Sequence, residues 1–357
     1  MHIRSQIFLA LAAIQLLVSS GCKKDEKSNP GITGNQPFAT GVFITNEGQY
    51  PSGAGSVSFF NRTNGLVQND IYNIVNGIPL GSVVQSMEVY DSLAYIVVNN
   101  SARIEVVNAS TFKSIGTITG LNSPRYFLGI SGTKGYVSDW QNTVAVINLG
   151  NFSVSKTIPT GSGPGKMLLA GDYVYVINDG AWGIDSTVTV IDILNDQVFA
   201  TIQVGKRPTG IVQDADGSIW VMCSGKGFNK WPAPGDSEGH LIKINPLSHA
   251  IEKDIAFPDN IRHPERLAIN GNGDMLYFLY SGGIYQMNIF SDIYQYNPLV
   301  ANGNFYNMGF DPVSNMIFAT DALDFQQDGY VYRFKASGGA KIDSVKVDVG
   351  PGEFCFR

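Results

Sequence analysis

The chain has 357 residues, 24 Lys and Arg against 30 Asp and Glu, a net charge of −6 and 44% apolar residues. No basic field is available for a nucleic-acid backbone, which excludes that class of partner. With three cysteines and no CxxC pair, neither a disulfide framework nor a cysteine-based metal site can be built.

The first element is a secretory signal: Arg4, an apolar run from Ile7 to Val18, then small residues. The run is too short to span a bilayer as a mature helix. It ends in Ser19-Ser20-Gly21-Cys22, which resembles the lipobox of bacterial lipoproteins, with Ser19 where Leu is usual. The resemblance implies that residues 1–21 are removed and Cys22 is acylated; an ordinary cleaved signal with a chance cysteine is the alternative. Lys23-Lys24-Asp25-Glu26 resembles the surface-export signal of Bacteroidetes lipoproteins, against the simpler reading of a solvated linker. Residues 22–37 then form a lipidated flexible tether rich in Ser, Asn, Pro and Gly, anchored without a transmembrane helix. The expected location is the outer membrane, lipid-anchored and facing the cell exterior. Without residues 1–21 the chain has 23 basic and 30 acidic residues, a net charge of −7.

Residues 38–357 are too many for one ordinary core, yet no linker divides them, and that points to repetition. Pro or an apolar residue, with a strictly apolar residue three positions on, recurs from Val84, Pro124, Pro164, Pro208, Pro264, Phe305 and Pro351. The starts are 40, 40, 44, 56, 41 and 46 residues apart, a spacing suited to four short strands and their turns. A second strand rich in Tyr, Val and Ile follows in each unit, as in residues 94–98, 173–177 and 275–280. The third is clearest at 143–147 and 187–192, and the fourth at 155–158 and 198–204. Cys223 and Cys355 fall in strand-like runs far apart in the repeat order, as small buried thiols.

Such units are apolar on two faces and must stack, and a ring leaves no exposed end. The fold class is therefore all-β, a seven-bladed β-propeller. Its N-terminal unit opens at Gly41-Val42-Phe43-Ile44-Thr45-Asn46, which matches the second strand of the pattern. The missing innermost strand comes from the C-terminal residues 350–356, which are expected to pair with 42–46. At this point the chain resembles the YncE-like, or YVTN-type, propellers, through Tyr175-Val176-Ile177-Asn178, Val190-Ile191-Asp192 and Ile202-Gln203-Val204-Gly205 with Pro208. Blades one, five and six depart from that pattern.

In a propeller, the loops between second and third strands and those leading into each innermost strand open on one end, where rigid strands hold them around a funnel. From these loops come the candidate ligand contacts: Gln85, Arg125, Tyr126, Trp140, Asn142, Lys166, Trp182, Phe228, Trp231, Arg266, Tyr306 and Phe325. Carboxamides, aromatics and a few bases suit a large neutral-to-anionic ligand, and they do not suit proton transfer or hydrolysis. The tryptophans could equally be loop staples. Asn46, Asn99 and Asn178, at strand ends, are better read as turn formers. The loop from Ser224 to Gly235, with Phe228 and Trp231, could be a lid or could be disordered.

Catalysis finds little support, and no enzyme activity is expected: of the four histidines only His263 lies near the funnel, and no His pair has a ligand spacing. A calcium-dependent lactonase- or lyase-like site built on Glu47, Asn99, Asp139, Asn178 and Asp321 is one alternative. A protein-interaction propeller is another.

The chain is most similar to the surface-exposed cobalamin-binding propeller lipoproteins of Bacteroidetes, the BtuG type. The similarity lies at Gly41-Val42-Phe43-Ile44-Thr45-Asn46-Glu47-Gly48, Gln85-Ser86-Met87, Ile96-Val97-Val98-Asn99-Asn100-Ser101, Ser123-Pro124-Arg125-Tyr126 and Pro351-Gly352-Glu353-Phe354-Cys355. It implies non-covalent capture of cobalamin or a related corrinoid and delivery to a TonB-dependent outer-membrane transporter. The apolar ring, amide arms and phosphate of a corrin would meet aromatics, Asn or Gln, and Arg125 or Arg266.

Overall fold

The strand Tyr173–Asn178 shows how the sequence makes a blade. Successive side chains of a strand face opposite ways. Val174 and Val176 pack beside Tyr136, Val144 and Val146 of the preceding blade, while Tyr175 and Ile177 pack beside Ile219, Val221 and Cys223 of the next. A strand apolar on both faces is stable only between two neighbours, and every blade has two.

The computed structural model describes residues 36–227 and 233–357. It contains seven antiparallel sheets, six of four strands and one of three. The innermost strands of blades two to seven are Val84–Tyr90, Pro124–Ser131, Pro164–Ala170, Pro208–Gln213, Glu265–Ile269 and Asn307–Asp311. These begin within two residues of the repeat starts read from the sequence. Between consecutive blades lie separate apolar clusters rather than one central core.

The ring closes as expected. Pro351–Phe356 is the innermost strand of blade one and pairs antiparallel with Gly41–Asn46, through Val42 with Phe356, Phe43 with Cys355 and Ile44 with Phe354. Around it, Val42, Ile44 and Phe60 of blade one pack with Phe318, Val331 and Val347 of blade seven. Polar contacts fix the same seam. Arg62 of blade one donates from Nε and Nη2 to the Asp311 carboxylate of blade seven at 2.7 and 2.8 Å, and from Nη1 to the Arg357 carbonyl. The Arg357 guanidinium in turn donates to the carbonyls of Phe38 and Ala109 and to Ser110 Oγ.

Three features differ from the repeat reading. Blade six has only Glu265–Ile269, Met275–Tyr280 and Gly283–Asn288; an irregular segment containing Pro298 replaces the fourth strand and touches the edge through a bridge between Ile284 and Val300. Proline cannot donate to a ladder, and no alternating run is available there. Blade one ends in the two-residue strand Val67–Gln68, followed by a short helix Ile71–Asn76 whose Ile71 and Tyr72 are buried against blade two. Finally, Cys223 and Cys355 are both free thiols, but only Cys223 is fully buried; Cys355 is half-buried on the wall of the axial channel.

Residues 1–35, with the expected signal segment and Cys22, and residues 228–232, with Phe228 and Trp231, lie outside the described residues. Among the described residues no helix is long and apolar enough to cross a membrane.

Candidate functional site

Both sets of loops share one end of the ring. In six blades the residue at the end of the second strand, or just after it, bonds through its backbone to the segment leading into the innermost strand. The N–H of Asn99 reaches the Val83 carbonyl, Trp140 reaches Ser123, Asp179 reaches Gly163 and Ser224 reaches Arg207. Glu47 reaches Gly350, and in blade seven the direction reverses, from Tyr306 to Thr320.

Bulges then aim side chains at the axis. Pro124 pairs with Asp139 and Tyr126 with Ser138, leaving Arg125 as an extra residue. The same count makes Gln85, Thr209 and Arg266 extra, and one residue is extra between Pro164 and Met167 and between Pro351 and Phe354. A bulge leaves a residue unpaired and re-aims it. Arg266 takes a φ of +54° there, a conformation that costs an ordinary residue roughly 1–3 kcal/mol and persists only where its surroundings enforce it.

Two of the cations so placed, Arg125 and Arg266, converge with Arg207 of the loop leading into blade five. Arg125, Arg207 and Arg266, from blades three, five and six, all act on the carboxylate of Asp179 in blade four, and Arg125 and Arg266 also act on Glu47 of blade one. Across the axis Lys166 Nζ donates to Glu353 Oε2 at 3.0 Å and the Tyr126 hydroxyl donates to Glu353 Oε1 at 3.2 Å. Tyr306 donates to Glu47 Oε1 at 2.8 Å. Burial opposes the charge on Glu353, but Lys166 and Arg266 hold its carboxyl below the usual range. Burial raises Glu47 and Asp179 instead, despite the arginines. Burial also pushes Tyr126 and Tyr306 far up, so both remain hydrogen-bond donors.

An aromatic wall stands beside these charges. The Arg125 guanidinium lies 4.0 Å from the ring centroid of Trp140, and Trp140 meets Trp182 edge-on at 5.7 Å. Trp182 itself is 95% exposed. Phe325 meets Tyr306 edge-on at 5.0 Å, and the Arg266 guanidinium lies 5.4 Å from the Tyr306 ring centroid. Among the described residues Arg125 Nε and Trp140 Nε1 are buried without a hydrogen-bond partner. Buried donors are rarely left so, and an ordered water or a ligand oxygen is the ordinary partner of each.

Of the residues expected from the sequence, Arg125, Tyr126, Trp140, Lys166, Trp182, Arg266, Tyr306 and Phe325 thus line this one mouth. Gln85 is 8% exposed, folded into its bulge. Asn142 is exposed and its Oδ1 accepts the Gly163 N–H at 3.0 Å, tying two blades together. Asn46, Asn99 and Asn178 are not the turn formers expected: Asn46 donates to Ser56 and Ser58 and Asn178 to Thr187 and Thr189 on the neighbouring strand of the same blade, while Asn99 donates to Ser123 and Pro124 of the next blade. The Asp139 carboxylate accepts the N–H groups of Asn122, Ser123 and Gln141, so it is occupied as a loop brace. Among the described residues no three His, Cys, Asp or Glu side chains are placed to hold a metal ion. Asp179 was not foreseen; it sits one residue past a strand end, where an Asp reads as a turn former.

A family model described as a domain of unknown function, DUF5074, matches residues 40–354. No curated protein matches the chain. Among solved structures, hydrazine synthase of Kuenenia stuttgartiensis is similar at a TM-score of 0.63 and 15% identity, covering 87% of this chain and 99% of that one. A quinoprotein alcohol dehydrogenase-like protein from Bacteroides thetaiotaomicron is similar at a TM-score of 0.68 and 14% identity, covering 89% and 78%. At such identities the likeness concerns the fold alone.

Proposed function

The chain belongs to the DUF5074 family. We propose that it is a lipid-anchored outer-membrane binding protein whose propeller mouth takes cobalamin or a related corrinoid non-covalently. It then passes the ligand to a TonB-dependent transporter. The observation that carries this reading is the Arg125–Trp140 pair: a flat aromatic surface with two buried donors lacking acceptors, at the edge of a mouth also reached by Arg207 and Arg266. An apolar ring with amide and phosphate acceptors answers both needs, by stacking and by charge-assisted hydrogen bonding. The hydroxyls of Tyr126 and Tyr306 are already committed to Glu353 and Glu47, so the mouth is braced before a ligand arrives. Among the described residues no group at the mouth is arranged as a nucleophile with its base, and no reaction is assigned to the ligand.

Titration of the purified mature chain with cyanocobalamin tests this. Saturable binding, with a change in the visible spectrum of the corrin, is expected, and Trp140→Ala should weaken it at least tenfold. Absence of heat and of any spectral change at micromolar protein would remove the reading.

A further inference from the structure

The axial channel contains a cavity that begins at the mouth, where it shares Tyr126 and Lys166, and continues along the innermost strands. From the Tyr126–Glu353–Lys166 brace along the axis lies a space of about 330 Å³ whose surface is more polar than apolar, lined by Ser86, Glu88, Lys166 and Glu353 with edges of Met87, Phe127, Met167 and Phe356 between them. Most of its polar groups are already paired. Ser86 Oγ donates to the Arg125 carbonyl at 2.7 Å, and Lys166 and Glu353 neutralise each other at 3.0 Å.

Glu88 is different. It lines the cavity, and its Oε1 accepts one hydrogen bond, from the Gly129 N–H at 3.0 Å. Among the described residues no Lys, Arg or His forms an ion pair with it. The groups that face it are Tyr95 on the adjacent strand, Cys355 of blade one and the Gly129 amide of blade three, none of them positive. A carboxylate removed from water without a counter-charge is costly, so Glu88 is stabilised either by its own proton or by a cation brought beside it.

We propose that this cavity is a binding site for a small organic cation, an alkylammonium that donates to Glu88 while its alkyl body lies among the phenylalanine and methionine side chains. Aromatic faces attract ammonium groups, and the phenylalanine and methionine edges between the polar groups give a short alkyl chain a limited apolar contact. A hard divalent ion is a poor occupant, because calcium takes six to eight oxygens and magnesium demands near-octahedral geometry, whereas Glu88 is the one carboxylate here not already neutralised. An anion would meet ionised Glu88 and find Lys166 occupied.

Burial holds the Glu88 carboxyl up at about 7. Binding of a cation therefore competes with a proton, and apparent affinity should be roughly thirtyfold lower at pH 5.5 than at pH 8, in proportion to the ionised fraction.

The test is titration of the mature chain with n-butylammonium chloride, followed by NMR line broadening or calorimetry at both pH values, with 1-butanol as a neutral probe of the same body. Saturable ammonium binding at pH 8, a large loss at pH 5.5, pH-independent butanol binding and a tenfold or greater loss in Glu88→Gln are expected. No saturation at high millimolar butylammonium at pH 8, or equal affinity at the two pH values, overturns the proposal. So does equal affinity in folded Glu88→Gln; should that variant fail to fold, the wild-type pH comparison decides alone. Neither probe resembles a corrinoid, so the result is independent of what occupies the mouth.

Discussion

Deleting Pro351–Arg357 should abolish cooperative unfolding of the whole domain. The strand lost is the partner of Gly41–Asn46, and its Phe354 and Phe356 meet Phe318 of blade seven at 5.8 and 5.6 Å. Without it the seam between blades seven and one has no inner wall, and Val42, Ile44, Phe60 and Phe318, all 0% exposed, are uncovered as the ring opens. Full burial of one such side chain contributes roughly 1.5–3 kcal/mol, so four amount to roughly 6–12 kcal/mol before any loss of hydrogen bonds. A domain's entire net stability is about 5–15 kcal/mol. Differential scanning calorimetry and near-ultraviolet circular dichroism are the assays, with a broad or absent transition expected. A sharp transition within a few degrees of the full chain would refute ring closure by this strand as the source of cooperativity.

Arg62→Ala should destabilise by roughly 3–5 kcal/mol, because it leaves the Asp311 carboxylate, 0% exposed, without its bidentate partner across the same seam. An unchanged urea midpoint would show that the pair contributes nothing. Asp311 is held below the usual carboxylate range, burial opposing and Arg62 and Ser314 outweighing it, so its contribution is lost as pH falls through the native value. Glu88 has the opposite sign. Its native carboxyl is raised from 4.5 to about 7 by burial, the native state holds its proton longer than the unfolded chain, and stability should fall as pH rises between those values. The full effect is on the order of 3 kcal/mol. Glu88→Gln should flatten that slope in denaturation curves at pH 5 and pH 8; an identical slope in the variant would place the titrating group elsewhere.

The ring was legible because the signal repeats. Pro or an apolar residue followed three positions later by an apolar residue marks the innermost strands, and the structure explains the interval: it contains the bulge that Gln85, Arg125 and Arg266 occupy. Closure was legible because Gly41–Asn46 reads as a second strand with no first. The departures have local causes that no period reveals. The edge of blade six is met by an irregular segment, and Ile71–Asn76 is too short for a helical period to show.

At the mouth, position in the loops was enough to bring Arg125, Tyr126, Lys166, Arg266 and Tyr306 together, since the loops have nowhere else to converge. It could not separate a stacked Trp140 from an exposed Trp182, nor show that Asn142 is spent on the Gly163 amide. Glu88 did leave a signal. It stands two residues beyond Ser86 on an innermost strand, at the level where the other blades carry Leu128, Leu168, Val212, Ala268, Gly309 and Cys355. A lone carboxylate in that ring was there to be read.

The most direct measurement is a structure of the propeller, residues 38–357, determined with cyanocobalamin. The account predicts the corrin over Trp140, with phosphate or amide oxygens accepting from Arg125 Nε and Trp140 Nε1. A corrin held on the outer wall of the blades or at the opposite end of the channel, or a mouth left empty under saturating ligand, would contradict it.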